Sequence, residues 1–257
     1  MKLSNIEFGF DNFLAEMKKL KTEKHFDYLV TIVGEDFGPE EGLGCIYILE
    51  NTQTHERISV KQLAKQLGDE YVIPSIYHVW ASSDLLEREV YDFLGIKFLG
   101  HPDMRRLFMR NDFEGWPLRK DFDMSPEKNQ FPMTDEPESD WTSEWNLTKD
   151  GELVETKHRL FDDDDFVINF GPNHPSTHGV LRLQTVVDGE TIKHIYPHLG
   201  YIHRGMEKMM ESMTYPQTLA FTDRLNYLCA MHHRHALVSV IEEAMGVELS
   251  ERIQYIR

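Results

Sequence analysis

Two imidazoles stand four residues apart in Asn169-Phe170-Gly171-Pro172-Asn173-His174-Pro175-Ser176-Thr177-His178-Gly179-Val180. The prolines and glycines predict a rigid loop between strands. Such a loop can present a proton donor or a ligand to a cavity. His174 reads best as a residue bonding backbone groups in a tight turn. For His178 both roles stay open. Further along, Asp223-Arg224-Leu225-Asn226-Tyr227-Leu228-Cys229 carries a phenol. If this stretch is helical, Arg224 and Met231 lie three and four residues from Tyr227 and share its face. Arg224 would frame the phenol with charge, and Met231 with a soft apolar wall.

The chain has 13 His and 2 Cys. It contains no HExxH, and no Cys or carboxylate stands at ligand spacing beside a histidine pair, so no bound metal is expected. Cys45 and Cys229 lie far apart and form no disulfide framework, which fits a reducing compartment. Met206, Met209, Met210 and Met213 recur at helical spacing and predict a packed core.

A third cluster is ionic. Glu87-Arg88-Glu89-Val90-Tyr91-Asp92 precedes Phe93-Leu94-Gly95, and His101-Pro102-Asp103-Met104-Arg105-Arg106-Leu107 follows. Glu87, Glu89 and Asp92 could pair with Arg105 and Arg106. Two uses fit: a salt network inside one domain, or a charged interface that positions another subunit, for which the planar arginine fork is suited. No nucleophile stands beside a base here, so catalysis by this part is not expected.

These groups need elements to hold them. Phe10, Phe13, Leu14, Met17 and Leu20 predict a short amphipathic helix. Tyr28–Val33 and Cys45–Leu49 predict strands. Residues 58–67 read equally as a helix or as a strand followed by a helix. Asp84 with Glu87 forms a candidate capping box for a helix whose face is Leu86, Val90 and Phe93 and whose stop is Gly95. Phe166–Phe170, Val180–Val187 and Glu190–Tyr196, turning at Asp188-Gly189, predict an antiparallel sheet. Helices are expected over 205–213 and 219–245.

The formal charge is −17. Residues 121–165 hold 15 Asp or Glu against 4 Lys or Arg, so most of the acidity belongs to that stretch. With Pro126, Pro132 and Pro137 it reads as a solvated linker. Trp141 and Trp145 within it suggest a segment lying along another surface or covering its own neighbouring domain. A broad basic face is missing, which argues against nucleic-acid binding. No run approaches the roughly 18 apolar residues of a membrane span, and the N-terminus does not read as a secretory signal. The expected fold class is α+β: a domain over 1–125, a linker over 126–165, and an incomplete unit over 166–257 with a small sheet leading into helices.

Residues 87–107 with 115–121 closely resemble the 30-kDa-type (C-type) component of respiratory complex I. Residues 169–257 resemble the start of its 49-kDa-type (D-type) component, through Gly171–Gly179, His203-Arg204-Gly205-Met206-Glu207-Lys208 and Glu251-Arg252-Ile253-Gln254-Tyr255-Ile256-Arg257. The whole looks like a C–D fusion cut off within the D part. The resemblance implies a peripheral-arm subunit of an NADH-quinone oxidoreductase that drives ion translocation. It implies a place on the cytoplasmic side of the bacterial inner membrane, held there by partners: the small cluster-bearing B-type subunit and the membrane-arm H-type subunit. Iron–sulfur clusters would be held by partner subunits, with none on this chain. Quinone would be the substrate, its headgroup flanked by His178 and Tyr227 and bordered by Met231. The residue before Tyr227 is Asn226 where the family has aspartate. The D-type component also resembles the large subunit of nickel–iron hydrogenases, but of their Arg-x-Cys-Gly-x-Cys pattern only Cys229 remains. A third reading is a scaffold with no competent site in the isolated chain.

Overall fold

The computed structural model describes residues 4–125, 140–175 and 179–257, and these fall into two compact units, Met1–Ile202 and His203–Arg257. The class is α+β, as expected.

The first unit opens with β1 (Ser4–Glu7), α1 (Phe13–Thr22), β2 (Tyr28–Asp36), β3 (Leu43–Glu50) and β4 (Arg57–Leu63). The strands form one sheet in the order β1-β4-β3-β2, with β1 parallel to β4 and the other neighbours antiparallel. Alternation places Cys45, Tyr47 and Leu49 of β3 on the buried face. Phe13, Met17 and Leu20 of α1 share a helical stripe and pack into the same core. Fully burying side chains of this kind contributes about 1.5–3 kcal/mol each.

A second sheet combines β5 (Lys65–Leu67), β6 (Glu70–Pro74), β7 (Ile96–Leu99), β8 (Trp141–Leu147) and β9 (Leu153–Arg159), in that order. Residues 58–67 therefore belong to two strands, separated only by Ala64. Lys, Gln, Leu and Ala there are good helix formers, but propensity yields to tertiary context, and pairing with β3 and β6 overrides that preference. Helix α2 (Ser83–Leu94) crosses over between the parallel strands β6 and β7. Its C-cap is Gly95 at φ 72°, where a β-carbon would lie 2.4 Å from the indole of Trp116. Glycine at this cap both takes the left-handed turn and lets Trp116 sit on the helix end. Arg119 Nε donates to the carbonyl of Leu94 at 2.7 Å, satisfying one of the last carbonyls.

The reading of 126–165 as a linker does not describe residues 141–159. They form a hairpin, registered from Trp141 opposite Arg159 to Leu147 opposite Leu153, and it joins the sheet where Leu99 pairs with Trp145. The hairpin is an edge of the sheet and β9 is almost wholly exposed, so polar and acidic residues suit it as well as they suit a linker. Trp145 packs against the main core, covering the neighbouring domain rather than a distant surface.

The third sheet is antiparallel, as expected: β10 (Phe166–Phe170), β11 (Arg182–Asp188) and β12 (Thr191–His198) in sequence order. Leu160, Phe161 and Val186, with Val167 and Tyr196, make its small core. It belongs to the same compact unit as the first two sheets, although 165/166 reads as a domain boundary in the sequence.

The second unit holds α3 (Met206–Glu211), α4 (Tyr215–Thr222), a 3-10 turn (Tyr227–Cys229), α5 (Ala230–Met245) and α6 (Glu251–Ile256). A capping box between Thr214 and Gln217 starts α4. The helix expected over 219–245 is thus two helices. Asn226 takes an extended backbone, φ −153° and ψ 111°, and its side chain accepts from the Leu228 N–H at 3.0 Å. Asparagine competes locally with the helix in this way. The methionines expected in a core are not buried: α3 contains no buried residue, and Met213 is exposed.

Candidate functional site

The densest constellation surrounds the 84–107 motif. Asp92 lies on the last turn of α2 with its side chain fully buried. Its Oδ2 accepts the backbone N–H groups of Leu107 at 3.0 Å, Phe108 at 2.6 Å and Met109 at 2.9 Å. Its Oδ1 accepts from Arg106 Nη1 at 2.9 Å. Arg106 Nη2 donates onward to the carbonyls of Phe113 and Gly115 at 3.0 and 2.9 Å. One carboxylate thereby folds a loop, and one guanidinium closes the next turn over it.

Asp103 is the second node. Arg105 grips it bidentately, Nε and Nη2 each at 2.7 Å, and Thr142 Oγ1 of the hairpin donates at 2.6 Å. Arg88 Nη1 stands 3.4 Å away. Burial works against this carboxylate, but the bonds from Arg105, the charge of Arg88 and the Thr142 hydroxyl outweigh it and hold the carboxyl below its usual range. Arg88 also donates to the carbonyls of Arg105 and Arg106, both at 3.2 Å.

Glu87 behaves otherwise. It does not cap α2, whose N-terminus has no side-chain cap bond, and it does not meet Arg105 or Arg106. It is fully buried and accepts from Ser75 Oγ at 2.6 Å and the Ile76 N–H at 2.8 Å. Burial pushes its pKa up to about 8, against those two bonds. His101 lies beside it, Nε2 3.9 Å from Glu87 Oε2. His101 Nδ1 accepts from the Asp103 N–H at 3.1 Å, so the ring proton sits on Nε2, 3.3 Å from the Asp84 carbonyl. Burial pushes this imidazole down to about 4. At neutral pH the Glu87–His101 pair is therefore buried and uncharged. Of the pairs the sequence suggests, Asp92 with Arg106 forms; Glu87 and Arg105 take Ser75 and Asp103 instead. These groups are saturated by hydrogen bonds, an arrangement that holds a loop rather than one that turns over a substrate.

The residues tied by resemblance to quinone are placed differently. His178 lies outside the described residues. The loop that carries it leaves β10 and rejoins β11, closed at its base by a bridge between Asn173 and Val180, with the His174 ring edge-on to Phe170 at 6.0 Å. Tyr227 opens the 3-10 turn of the second unit and is 81% exposed; Met231 on α5 is 76% exposed. The helical face expected to join Arg224, Tyr227 and Met231 is absent, because α4 ends at Thr222. Arg224 bonds the Ala220 carbonyl, and Asp223 pairs with Arg234. Sequence reasoning missed Ser75 and Thr142. Each is a single polar residue whose partner is distant in sequence, so no local pattern marks it. Among the described residues no group of three His, Cys, Asp or Glu could hold a metal ion, and no helix is long and apolar enough to cross a membrane.

Comparison with known proteins follows this division. Residues 7–128 match the family described as respiratory-chain NADH dehydrogenase, 30 Kd subunit. The C/D subunit of the NADH-quinone oxidoreductase of Phocaeicola vulgatus is 51% identical over 252 residues, covering 98% of this chain and 48% of that protein. The C/D subunit of Bacteroides fragilis is 49% identical, with 94% and 47% covered, and the C/D 2 subunit of Aquifex aeolicus is 35% identical, with 98% and 44% covered. A solved structure described as Nqo5 of the trypsin-resistant fragment (1-134) is 29% identical, with TM-score 0.36, over 38% of this chain and 80% of that one. The chain spans about half the length of the curated relatives it matches. Along nearly all of its length the chain is thus similar to C/D subunits of NADH-quinone oxidoreductase, and its residues 7–128 carry the match to the 30 Kd subunit family.

Proposed function

We propose that the chain acts as a peripheral-arm component of an NADH-quinone oxidoreductase. The single observation that carries this reading is 51% identity to a C/D subunit over 252 residues, a match that runs through the 30 Kd part and on through the D-like part. In this reading the first unit serves assembly, consistent with its saturated ionic core. The loop around His178 and the turn around Tyr227 contribute to the quinone-reduction site. Iron–sulfur clusters belong to partner subunits of the B type, membrane attachment to partners of the H type, and the arm lies on the cytoplasmic side. The coupled process is ion translocation.

Quinone reduction ends with protons placed on two carbonyl oxygens. An imidazole and a phenol on opposite sides of a ring can each donate a hydrogen bond and a proton there. The electron chemistry is left to the cofactors of the partners. The test is made in the assembled complex with the full-length subunit, comparing quinone-linked turnover with turnover on an artificial acceptor. Loss of the first alone in His178 or Tyr227 variants supports the site; loss of neither removes it. A second reading, scaffold without a site of its own, is favoured for the isolated chain by the exposure of Tyr227 and Met231. A competent site then requires partners to cover them.

A further inference from the structure

The fully buried His101 ring meets an N–H at one nitrogen and oxygens at the other. Its Nδ1 accepts the Asp103 N–H at 3.1 Å. Its Nε2–H faces the first turn of α2, 3.3 Å from the Asp84 carbonyl, 3.4 Å from Asp84 Oδ1 and 3.9 Å from Glu87 Oε2. Asp84 Oδ1 is buried and makes no hydrogen bond among the described residues. A buried polar atom left without a bond is uncommon in folded proteins. Here an imidazole stands beside it.

A neutral imidazole has one lone pair, and this one is spent on the Asp103 N–H. A second proton has to land on Nδ1. The nitrogen then becomes a donor, and the Asp103 N–H loses its acceptor. The cationic ring would instead donate from Nε2 to Asp84, whose carboxylate supplies the counter-charge. The two arrangements exclude each other. Other groups bear on the ring as well: the Arg88 guanidinium of α2 opposes a charge there, the Asp103 carboxylate favours one, and the Tyr77 ring lies 5.5 Å away. Residue 103 is where a released bond matters, because its carboxylate gathers Arg105, Arg88 and the hairpin's Thr142.

We propose that His101 is an acid-operated latch on the 103–107 loop: the neutral ring holds the Asp103 N–H, and the ring that takes up a second proton from solvent drops that bond and turns to Asp84. Burial supports this. It pushes the imidazole from 6.5 down to about 4, so the closed loop refuses a proton that an open loop accepts. Each opening therefore takes up one proton below pH 6.5, and the open population rises about tenfold per pH unit from there down to about 4. Asp103 is held below the usual carboxylate range and keeps its charge through this window. The inference does not depend on the quinone reading.

Hydrogen exchange on the 257-residue chain tests it, with the Asp103 amide as reporter and the amides of β3 as reference, each corrected for its intrinsic rate. Protection at Asp103 should fall by about tenfold per pH unit below 6.5 while β3 holds. His101→Asn keeps an acceptor near the Nδ1 position and cannot take the proton, so its profile should be flat. Asp84→Asn removes the counter-charge and should move the onset to lower pH. Imidazole nitrogen shifts give a reading that needs no variant: Nδ1 should be bare at neutral pH and gain its proton in the same window. A flat profile in the parent overturns the proposal, as does a slope that survives in His101→Asn. β3 falling in step with Asp103 would make the event global acid unfolding and overturn it too. So would an unchanged onset in Asp84→Asn, or a proton on Nδ1 at neutral pH.

Discussion

Arg106 Nη1 donates twice to one residue: to Oδ1 of Asp92 and to the main-chain carbonyl of Asp92, both at 2.9 Å. The guanidinium thus closes the C-terminal turn of α2 while the same aspartate gathers the N–H groups of residues 107–109. A cation at a helix C-terminus is also favoured by the helix dipole.

Asp92→Ala leaves the largely buried Arg106 guanidinium without its counter-ion and three amides without their acceptor. We expect a loss of about 3–5 kcal/mol in the first unit, read from the urea midpoint. Asp92→Asn, which keeps one oxygen, should lose less. A change under about 1 kcal/mol for the alanine variant would show that the loop stands without Asp92.

Glu87 gives the fold a pH dependence. Its pKa is pushed from 4.5 up to about 8, so the folded state holds a proton that the unfolded state has released. Its contribution is fully present below pH 4.5 and is lost as pH rises through 8. His101, pushed from 6.5 down to about 4, acts with the opposite sign below pH 6.5 and is neutral in both states above it. Between pH 6.5 and 8 the Glu87 effect stands alone, with a slope approaching about 1.4 kcal/mol per pH unit. Denaturant unfolding across this window should show stability falling with pH. Glu87→Gln should flatten the curve; an equal slope in that variant would assign the dependence elsewhere.

Lys97 is a buried cation with Nζ 3.5 Å from the Trp145 ring centroid and 2.9 Å from Glu70 Oε1. Trp145→Leu removes the ring that meets Lys97 and packs the hairpin against the main core. We expect a cost of about 1–2 kcal/mol and faster proteolysis within residues 141–159, ahead of any cleavage in β2–β4. Cleavage at the parent rate would mean that backbone pairing alone holds the hairpin.

Tyr227→Phe should leave the melting temperature of the isolated chain unchanged, since the ring is 81% exposed. In the assembled complex the loss of one hydrogen bond of about 0.5–1.5 kcal/mol should slow quinone reduction or raise its KM by up to roughly tenfold. Turnover on an artificial acceptor should persist. Unchanged kcat and KM for quinone would remove Tyr227 from the site.

Much of the fold is legible in the residues. Helical stripes mark α1 and α2, Gly95 marks the end of α2, and alternation with Asp188-Gly189 marks the third sheet. What misleads is local pattern without its tertiary partner. Asp84 and Glu87 have the spacing of a capping box, yet Ser75 and Ile76 draw Glu87 inward. Residues 219–245 have helical composition, yet the Asn226 side chain bonds the backbone two residues on and breaks the run. The acidic stretch conceals a hairpin because an edge strand solvated on both faces and a linker ask for the same residues. The candidate quinone residues owe their identification to resemblance, since no spacing links Tyr227 to the loop at 171–180.

Among the described residues strand β9 ends the five-stranded sheet, so one row of its amides and carbonyls faces away from β8. A bare edge is a template on which further strands, including those of other copies, can zip. Glu155, Lys157 and Arg159 stand along it, and covering them would strip water from three charges. The charged stretch that imitates a tether therefore works as insulation, keeping the growing end of a sheet from recruiting the next strand.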